Sequence, residues 1–354
     1  MKYDFSTINN ILVIKMREIG DVLLTVPVFR ALRENFPHAF IAGLVNSGTE
    51  ETLTDNPLID EVLVFNRDIK KLSISRKYYE ELLFLKKIRS MKFNMVIDLT
   101  SEDRPALISY FSGAGYRIAY DPGRNGFFGK RHLYTHLVTK KKNQHTVLKN
   151  LNLVRHFGID THNLSVDFYT DEKARSFVKD LFTEKNFDEN SKIVHVHPLS
   201  RLFIKCWEDE SMAKVITWLL NENIKVVITS SPDKREVEKI KKILSFVHSD
   251  RYSQNMLDLS GKTTIKELAA ISEASSLFFG VDSAPMHIAA AVSTPVVALF
   301  GHGETRWSPW GDDHLVISHN IGNRNGASKK EYTRENLLKI HPDEVIAALK
   351  KCFL

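Results

Sequence analysis

Apolar residues fall along this chain in two series of short unbroken runs. The first series is ILVIKM (11–16), IAGLV (41–45), VLVF (62–65), MVIDL (95–99) and YRIAY (116–120). The second is KIVHVHP (192–198), KVVITSS (225–231), SLFFGV (276–281) and PVVALFG (295–301). Runs this short, apolar almost throughout and rich in Val and Ile predict strands buried on both faces. Helix-compatible segments separate most of them, amphipathic at 208–221 and 264–274. Such alternation predicts mainly parallel sheets covered by helices. The weakly patterned stretch THNLSVDFYTDEKAR (161–175) divides the two series. The expected organisation is therefore α/β, with doubly wound domains at 1–168 and 169–330 and a helical tail at 331–354. Within that tail HPDEVIAALKKCFL carries Pro342 where a helix would open.

Composition narrows the class. A chain of 354 residues, 43% of them apolar, can fill two cores. Cys206 and Cys352 are the only cysteines and have neither disulfide-framework nor metal-ligand spacing, which favours a reducing compartment and no metal site. The amino terminus has one short apolar run, broken by Lys15 and Arg17, too short for a signal-peptide core or a membrane span. A cytoplasmic protein without a transmembrane segment is expected. The net charge of +6 is uneven: residues 1–168 hold 24 Lys/Arg against 18 Asp/Glu, and the remainder 25 against 25. Basic runs at KKIRSMK (86–92), GKRH (129–132) and TKKKNQH (139–145) could attract an anionic partner or membrane surface, or could be solvated helix ends and loops. No aromatic platform or reader motif accompanies them, so nucleic acid is not expected.

In open α/β sheets ligands bind beyond the carboxyl ends of the strands, so the polar elbows there hold the candidate chemistry. FFGVDSAPMHIAAAV (278–292) places Asp282, Ser283 and Ala284 before a helix with Pro285 in its first turn. Its free N–H groups could hold a phosphate or diphosphate, or Asp282 or Ser283 could simply cap the helix. In KMREIGDVLLTVPVFRALRENFP (15–37), Asp21 follows a Gly20 turn at the start of an amphipathic helix. It could cap that helix or accept a proton from a substrate hydroxyl. HPLSRLFIKCWEDE (197–210) offers Ser200, Arg201 and Lys205 as anion donors, or is an exposed loop anchored by Trp207.

Together, in this order and spacing, these segments resemble glycosyltransferase family 9, the ADP-heptose:lipopolysaccharide heptosyltransferases. The matching motifs run from Arg17 to Pro37 and from Gly280 to Gly301, with KCW, SGKTTIKELAA (260–270) and RWSPWG (306–311) between and after them. FIKCWEDE, GVDSAPMHIAAAV and IHPDEVIAAL look most like the lipopolysaccharide core heptosyltransferase III branch. Ala284 stands where most of the family has Gly, which narrows the backbone angles open to it.

The resemblance implies the GT-B fold: two Rossmann-like domains facing a central cleft, acceptor on the first and nucleotide-sugar on the second. It implies inverting transfer of heptose from ADP-heptose to an anionic inner-core lipopolysaccharide acceptor at the cytoplasmic face of the inner membrane. Asp21 would be the catalytic base and Lys205 would balance charge on the departing diphosphate, with no metal and no other cofactor. The donor site would comprise Ser200, Glu236, Asp282, Ser283, Ala284, Pro285, Met286 and His287; acceptor contacts would include Arg17, Glu18, Thr100 and Arg104. For Glu236, near the ribose by resemblance, an exposed helical glutamate is the alternative; His145, near a helix start, receives no catalytic step. Other functions the sequence leaves open are the same fold acting at another core position or on another nucleotide-sugar, and a non-catalytic glycolipid-binding homologue. An NAD-dependent oxidoreductase lacks support, because REIGDV offers one glycine and no Gly-x-Gly-x-x-Gly elbow.

Overall fold

The computed structural model describes residues 4–141, 143–188, 190–301, 305–319 and 329–353. Lys142 of the TKKKNQH run and Leu354 at the end of the expected tail lie outside the described residues. The chain forms two compact units, Met1–Tyr169 and Thr170–Leu354.

The first unit is built on β1 (Asn10–Ile14), β2 (Phe40–Asn46), β3 (Glu61–Phe65), β4 (Met95–Asp98), β5 (Tyr116–Tyr120) and β6 (His136–Val138), all parallel, in the order β3-β2-β1-β4-β5-β6. The second uses β7 (Ile193–His197), β8 (Lys225–Ser230), β9 (Met256–Ser260), β10 (Leu277–Val281), β11 (Val296–Leu299) and β12 (His314–Ile317), in the order β12-β11-β10-β7-β8-β9. Counted within each unit, both sheets follow the doubly wound order 3-2-1-4-5-6. Their strands are apolar because helices cover both faces. Leu12, Ile14, Leu44 and Val96 pack with Ile88 of the helix Ile74–Ser90. In the second unit Val194, Val226 and Phe279 pack with Leu219 and Leu220 of the helix Asp209–Asn221.

The observed elements refine the expectations at several points. The segment after β1 is not one helix: Ile19–Leu23 ends and Val26–Asn35 begins anew. Pro27 lacks the N–H that would continue the first ladder, and the Thr25 hydroxyl donates to the Val22 carbonyl at the break, 2.6 Å away. The tail is two helices, Lys329–Leu338 and Pro342–Phe353. Leu337, Ile340, Val345 and Leu349 enter the second unit's core. Among the described residues no helix is long and apolar enough to cross a membrane.

At Gly280, β10 passes so close to β7 that an added Cβ would lie 2.5 Å from the His197 carbonyl oxygen. Gly280→Ala must push the two strands apart. A loss of about 1–3 kcal/mol is expected from such overpacking, measured as a lower urea midpoint; an unchanged midpoint would show that the strands yield freely there.

Candidate active site

In each sheet the order reverses between two adjacent strands, β1 and β4 in one and β7 and β10 in the other. The three elbows singled out from the sequence follow β1, β7 and β10, and the expected acceptor contacts Thr100 and Arg104 follow β4.

In the first unit, β1 delivers the chain to Lys15, whose side chain is buried and donates to the Leu99 carbonyl at 3.3 Å and to Asn150 Oδ1 at 3.4 Å. Burial lowers the Lys15 ammonium to about 8, against the opposing pull of the nearby Asp21 carboxylate. Asp21 is half-buried within the first turn of Ile19–Leu23. It does not cap the helix: the cap position is Glu18, whose side chain makes no capping bond. Glu18 instead pairs with Arg67 at 3.3 Å, and Arg17 with Glu102 at 2.8 Å.

The loop after β4 is set by Asp98. One carboxylate oxygen of this buried residue accepts the N–H groups of Thr100 and Ser101 at 2.8 and 2.9 Å; the other accepts the Tyr134 hydroxyl at 2.5 Å. Burial raises the Asp98 carboxyl, while the Tyr134 hydroxyl and the two amides oppose the rise. Ser101 is thereby held at φ +59°, a left-handed conformation unusual for a side-chain-bearing residue. The Lys130 ammonium donates to the Ser101 carbonyl at 2.9 Å and pairs with Asp103 at 3.1 Å. Arg104 pairs with Glu81 at 2.8 Å and lies 4.7 Å from the Phe65 ring centre. These residues wall a cleft of about 880 Å³. Arg17, Lys70, Arg104, Lys130, Lys140 and Lys149 line it against Glu81, Glu102 and Asp103, six cationic groups to three anionic. The space and charge suit a polar anionic ligand.

In the second unit, Ser200 is buried and its N–H donates to Cys206 Sγ at 3.3 Å, closing the loop after β7. Lys205 ends a 3₁₀ turn, Phe203–Lys205, and its ammonium meets Asp282 Oδ2 at 2.6 Å. Asp282, after β10, is buried, whereas Lys205 reaches solvent. Ser283 occupies the cap position of the helix Ala284–Ala291 but makes no side-chain capping bond, and its buried Oγ has no partner among the described residues. The capping alternative therefore fails for Ser283. Ala284 is the first helical residue and is not left-handed, so the absent Gly has no structural consequence here. Pro285 follows it, and His287 is buried one turn further on.

Glu236 is also buried, and accepts the Ser231 N–H at 3.1 Å in the elbow after β8. The exposed-glutamate alternative is thus overturned.

The family model for glycosyltransferase family 9 (heptosyltransferase) matches residues 82–338. The chain is 32% identical to lipopolysaccharide heptosyltransferase 3 of Escherichia coli K12 over 347 residues, covering 95% of this chain and 96% of that protein. Its fold is similar to a glycosyl transferase family 9 structure from Veillonella parvula, with a TM-score of 0.83, 21% identity and 97% of each chain covered. It is also similar to ADP-heptose LPS heptosyltransferase II of E. coli, with a TM-score of 0.77, 20% identity and 97% and 98% covered. The chain belongs to glycosyltransferase family 9. Its two six-stranded parallel units are the GT-B-like α/β fold of these relatives.

For this glycosyltransferase the structure excludes a side-chain contact, though not a backbone one, for one residue of the expected donor set, Met286. Met286 is fully buried and packs with Phe278, Val296 and Phe300. It lies on the inward face of its helix, so its side chain fills the core and is not a ligand contact. His145 is a helix cap, its Nδ1 accepting the Val147 N–H at 3.2 Å.

Two features escaped the sequence reasoning. Lys15 was legible only as a charge interrupting an apolar run. His195 and His197 share the Thr229 hydroxyl at 2.7 and 2.9 Å, and His195 also meets Ser272 at 2.8 Å. Burial holds both imidazoles neutral, His197 down to about 3. Their signal was two polar residues at i, i+2, on one face of a buried strand.

Because Lys15 gives up its proton at about 8 instead of the ordinary 10.5, the buried charge opposes folding below about pH 8. Between about 8 and 10.5 the unfolded chain binds the extra proton, so this group's penalty fades as pH rises. The stability of Lys15→Met relative to wild type is expected to fall across that window in thermal unfolding. Parallel pH profiles would contradict the buried ammonium.

Proposed function

We propose that this glycosyltransferase moves L-glycero-D-manno-heptose from ADP-heptose to the inner core of lipopolysaccharide, as a heptosyltransferase III adding a side-branch heptose. The observation that carries this reading is the Lys205–Asp282 pair beside the N-terminus of Ala284–Ala291. It occurs on a chain about one-third identical, over nearly its full length, to a lipopolysaccharide heptosyltransferase 3.

In the proposed reaction the second unit holds the donor. The diphosphate accepts from the N–H groups of Ser283, Ala284 and Met286 around the first turn, to which Pro285 contributes no donor, and from the Ser283 hydroxyl. Lys205, kept in place by Asp282, faces the charge that grows on the leaving oxygen. Glu236 accepts ribose hydroxyls with the carboxylate capacity its Ser231 bond leaves over. Ser200 and His287 complete the pocket.

The first unit holds the acceptor, an anionic glycolipid at the cytoplasmic face of the inner membrane, in the basic cleft of Arg17, Thr100 and Arg104, with Glu18, next to Arg17 in the chain, as a further contact. As the acceptor oxygen attacks the anomeric carbon, its proton passes to the Asp21 carboxylate. The new C–O bond forms while the bond to the diphosphate breaks on the opposite side, and ADP leaves with the electron pair. The anomeric centre inverts. Because Lys205 and the helix end supply the countercharge, this reading calls for no metal or other cofactor.

Asp21→Asn keeps shape and removes the base, so transfer should fall about 10²–10⁴-fold while ADP affinity is unchanged. The assay follows ADP release and acceptor mass with a core lacking the side-branch heptose. A gain of one heptose lost in the variant supports the reading. Near-normal turnover removes Asp21 from the mechanism, and transfer only to a shorter core moves the enzyme to another core position.

Lys205→Ala should weaken ADP-heptose binding in calorimetry and slow transfer together, with kcat down by about 10²–10³. Unchanged affinity and turnover would remove Lys205 from the donor site.

A further inference from the structure

A helix that covers a sheet ordinarily turns its apolar stripe inward and leaves polar residues outside. The helix Ile74–Ser90 does the first, with Phe84, Leu85 and Ile88 against the core. It fails to do the second: Ile74, Tyr78, Tyr79, Leu82 and Leu83 face solvent, with exposures of 77, 63, 60, 51 and 42%. The helix Asp103–Ser112 packs beside it and adds the exposed Tyr110 and Phe111. The segment that follows β5 adds Phe127 and a fully exposed Phe128. All three elements also wall the basic cleft, through Glu81 and Phe84, Arg104 and Leu107, and Asn125 and Gly126. Single exposed apolar residues need no explanation, but a concentration of them around one cleft marks an interaction surface.

The charge on this surface identifies what covers it. Residues 67–92 contain nine Lys/Arg against three Asp/Glu, an excess as large as that of the whole chain. Arg76, Lys86, Lys87 and Arg89 are exposed on the same helix as the apolar side chains. Aromatic and aliphatic residues interleaved with lysine and arginine match the boundary of an anionic bilayer, where rings and methyl groups enter the acyl region and ammonium groups meet phosphates. A second copy of this chain would bring like charges together on that face.

We infer that the surface formed by Ile74–Ser90, Tyr110–Phe111 and Phe127–Phe128 seats the protein on an anionic lipid bilayer, with the basic cleft opening at the membrane. The inference rests on the proposed glycolipid acceptor only for its purpose; the seating itself is a separate property.

The test is co-sedimentation of the full chain with phosphatidylglycerol-containing vesicles and with phosphatidylcholine vesicles. Binding to the anionic vesicles that weakens with salt is expected. Tyr78→Ser/Leu82→Ser/Phe128→Ser and, separately, Arg76→Glu/Lys86→Glu should each lower it about tenfold or more. Both variants should transfer normally to a deacylated, water-soluble acceptor and poorly to an acceptor embedded in vesicles. Wild type that ignores anionic vesicles, or variants that bind like wild type, would overturn the seating. So would a lipid-free dimer abolished by the serine substitutions, since the occupant would then be a second copy. Vesicle binding that persists while no acceptor is glycosylated would support the seating and sink only the transfer reading.

Discussion

In a doubly wound sheet the chain first adds strands outward on one side of its starting strand and then returns to add strands on the other. The connections leaving the two central strands therefore depart to opposite faces, and nothing covers the space beyond their carboxyl ends. Both units obey this constraint with the same strand order. Asp21 and Thr100 follow β1 and β4; Lys205 and Asp282 follow β7 and β10. The close approach of Gly280 to the His197 carbonyl shows how tightly the second pair of strands must pack to bring their elbows together. Asp98 does the equivalent work in the first unit, replacing packing with three hydrogen bonds that fix the loop after β4.

Most of this architecture was legible because parallel strands buried on both faces must be apolar, and each such run was visible in the chain. Three strands were not. His136–Val138 has three residues, and His314–Ile317 keeps much of its surface at the sheet edge, so neither needs an apolar run. Met256–Ser260 contains a half-exposed Asp258 and is also an edge strand. The helix after β1 was readable as amphipathic, but the break at Thr25 depends on a hydroxyl bond and a proline whose combined effect periodicity does not reveal.

The site was legible to a different degree. Motif residues lie near one another in sequence, so Asp282 to His287 could be found as a group. A motif does not say which side chains face a ligand: that of Met286 lies on the inward face of its helix and belongs to the core. Lys15, His195 and His197 stayed obscure for the converse reason. Their partners, Leu99 and Asn150 for the lysine and Thr229 and Ser272 for the histidines, come from distant parts of the chain. No pattern within one segment announces a bond that closes over tens of residues.

The two switch points carry the same pair of residue types with their burial exchanged. In the first unit the lysine, Lys15, is buried and the aspartate, Asp21, is half-exposed; in the second the aspartate, Asp282, is buried and the lysine, Lys205, reaches solvent. A buried charge is costly unless an opposite charge or hydrogen bonds compensate it, so each buried member holds a preference for where its partner's charge lies. The exposed member is the one a substrate can meet. A lysine presented by a buried anion suits a group that must stay charged while negative charge develops before it. The proposed division of labour, base on one unit and diphosphate countercharge on the other, follows from which member of each pair the fold leaves within reach.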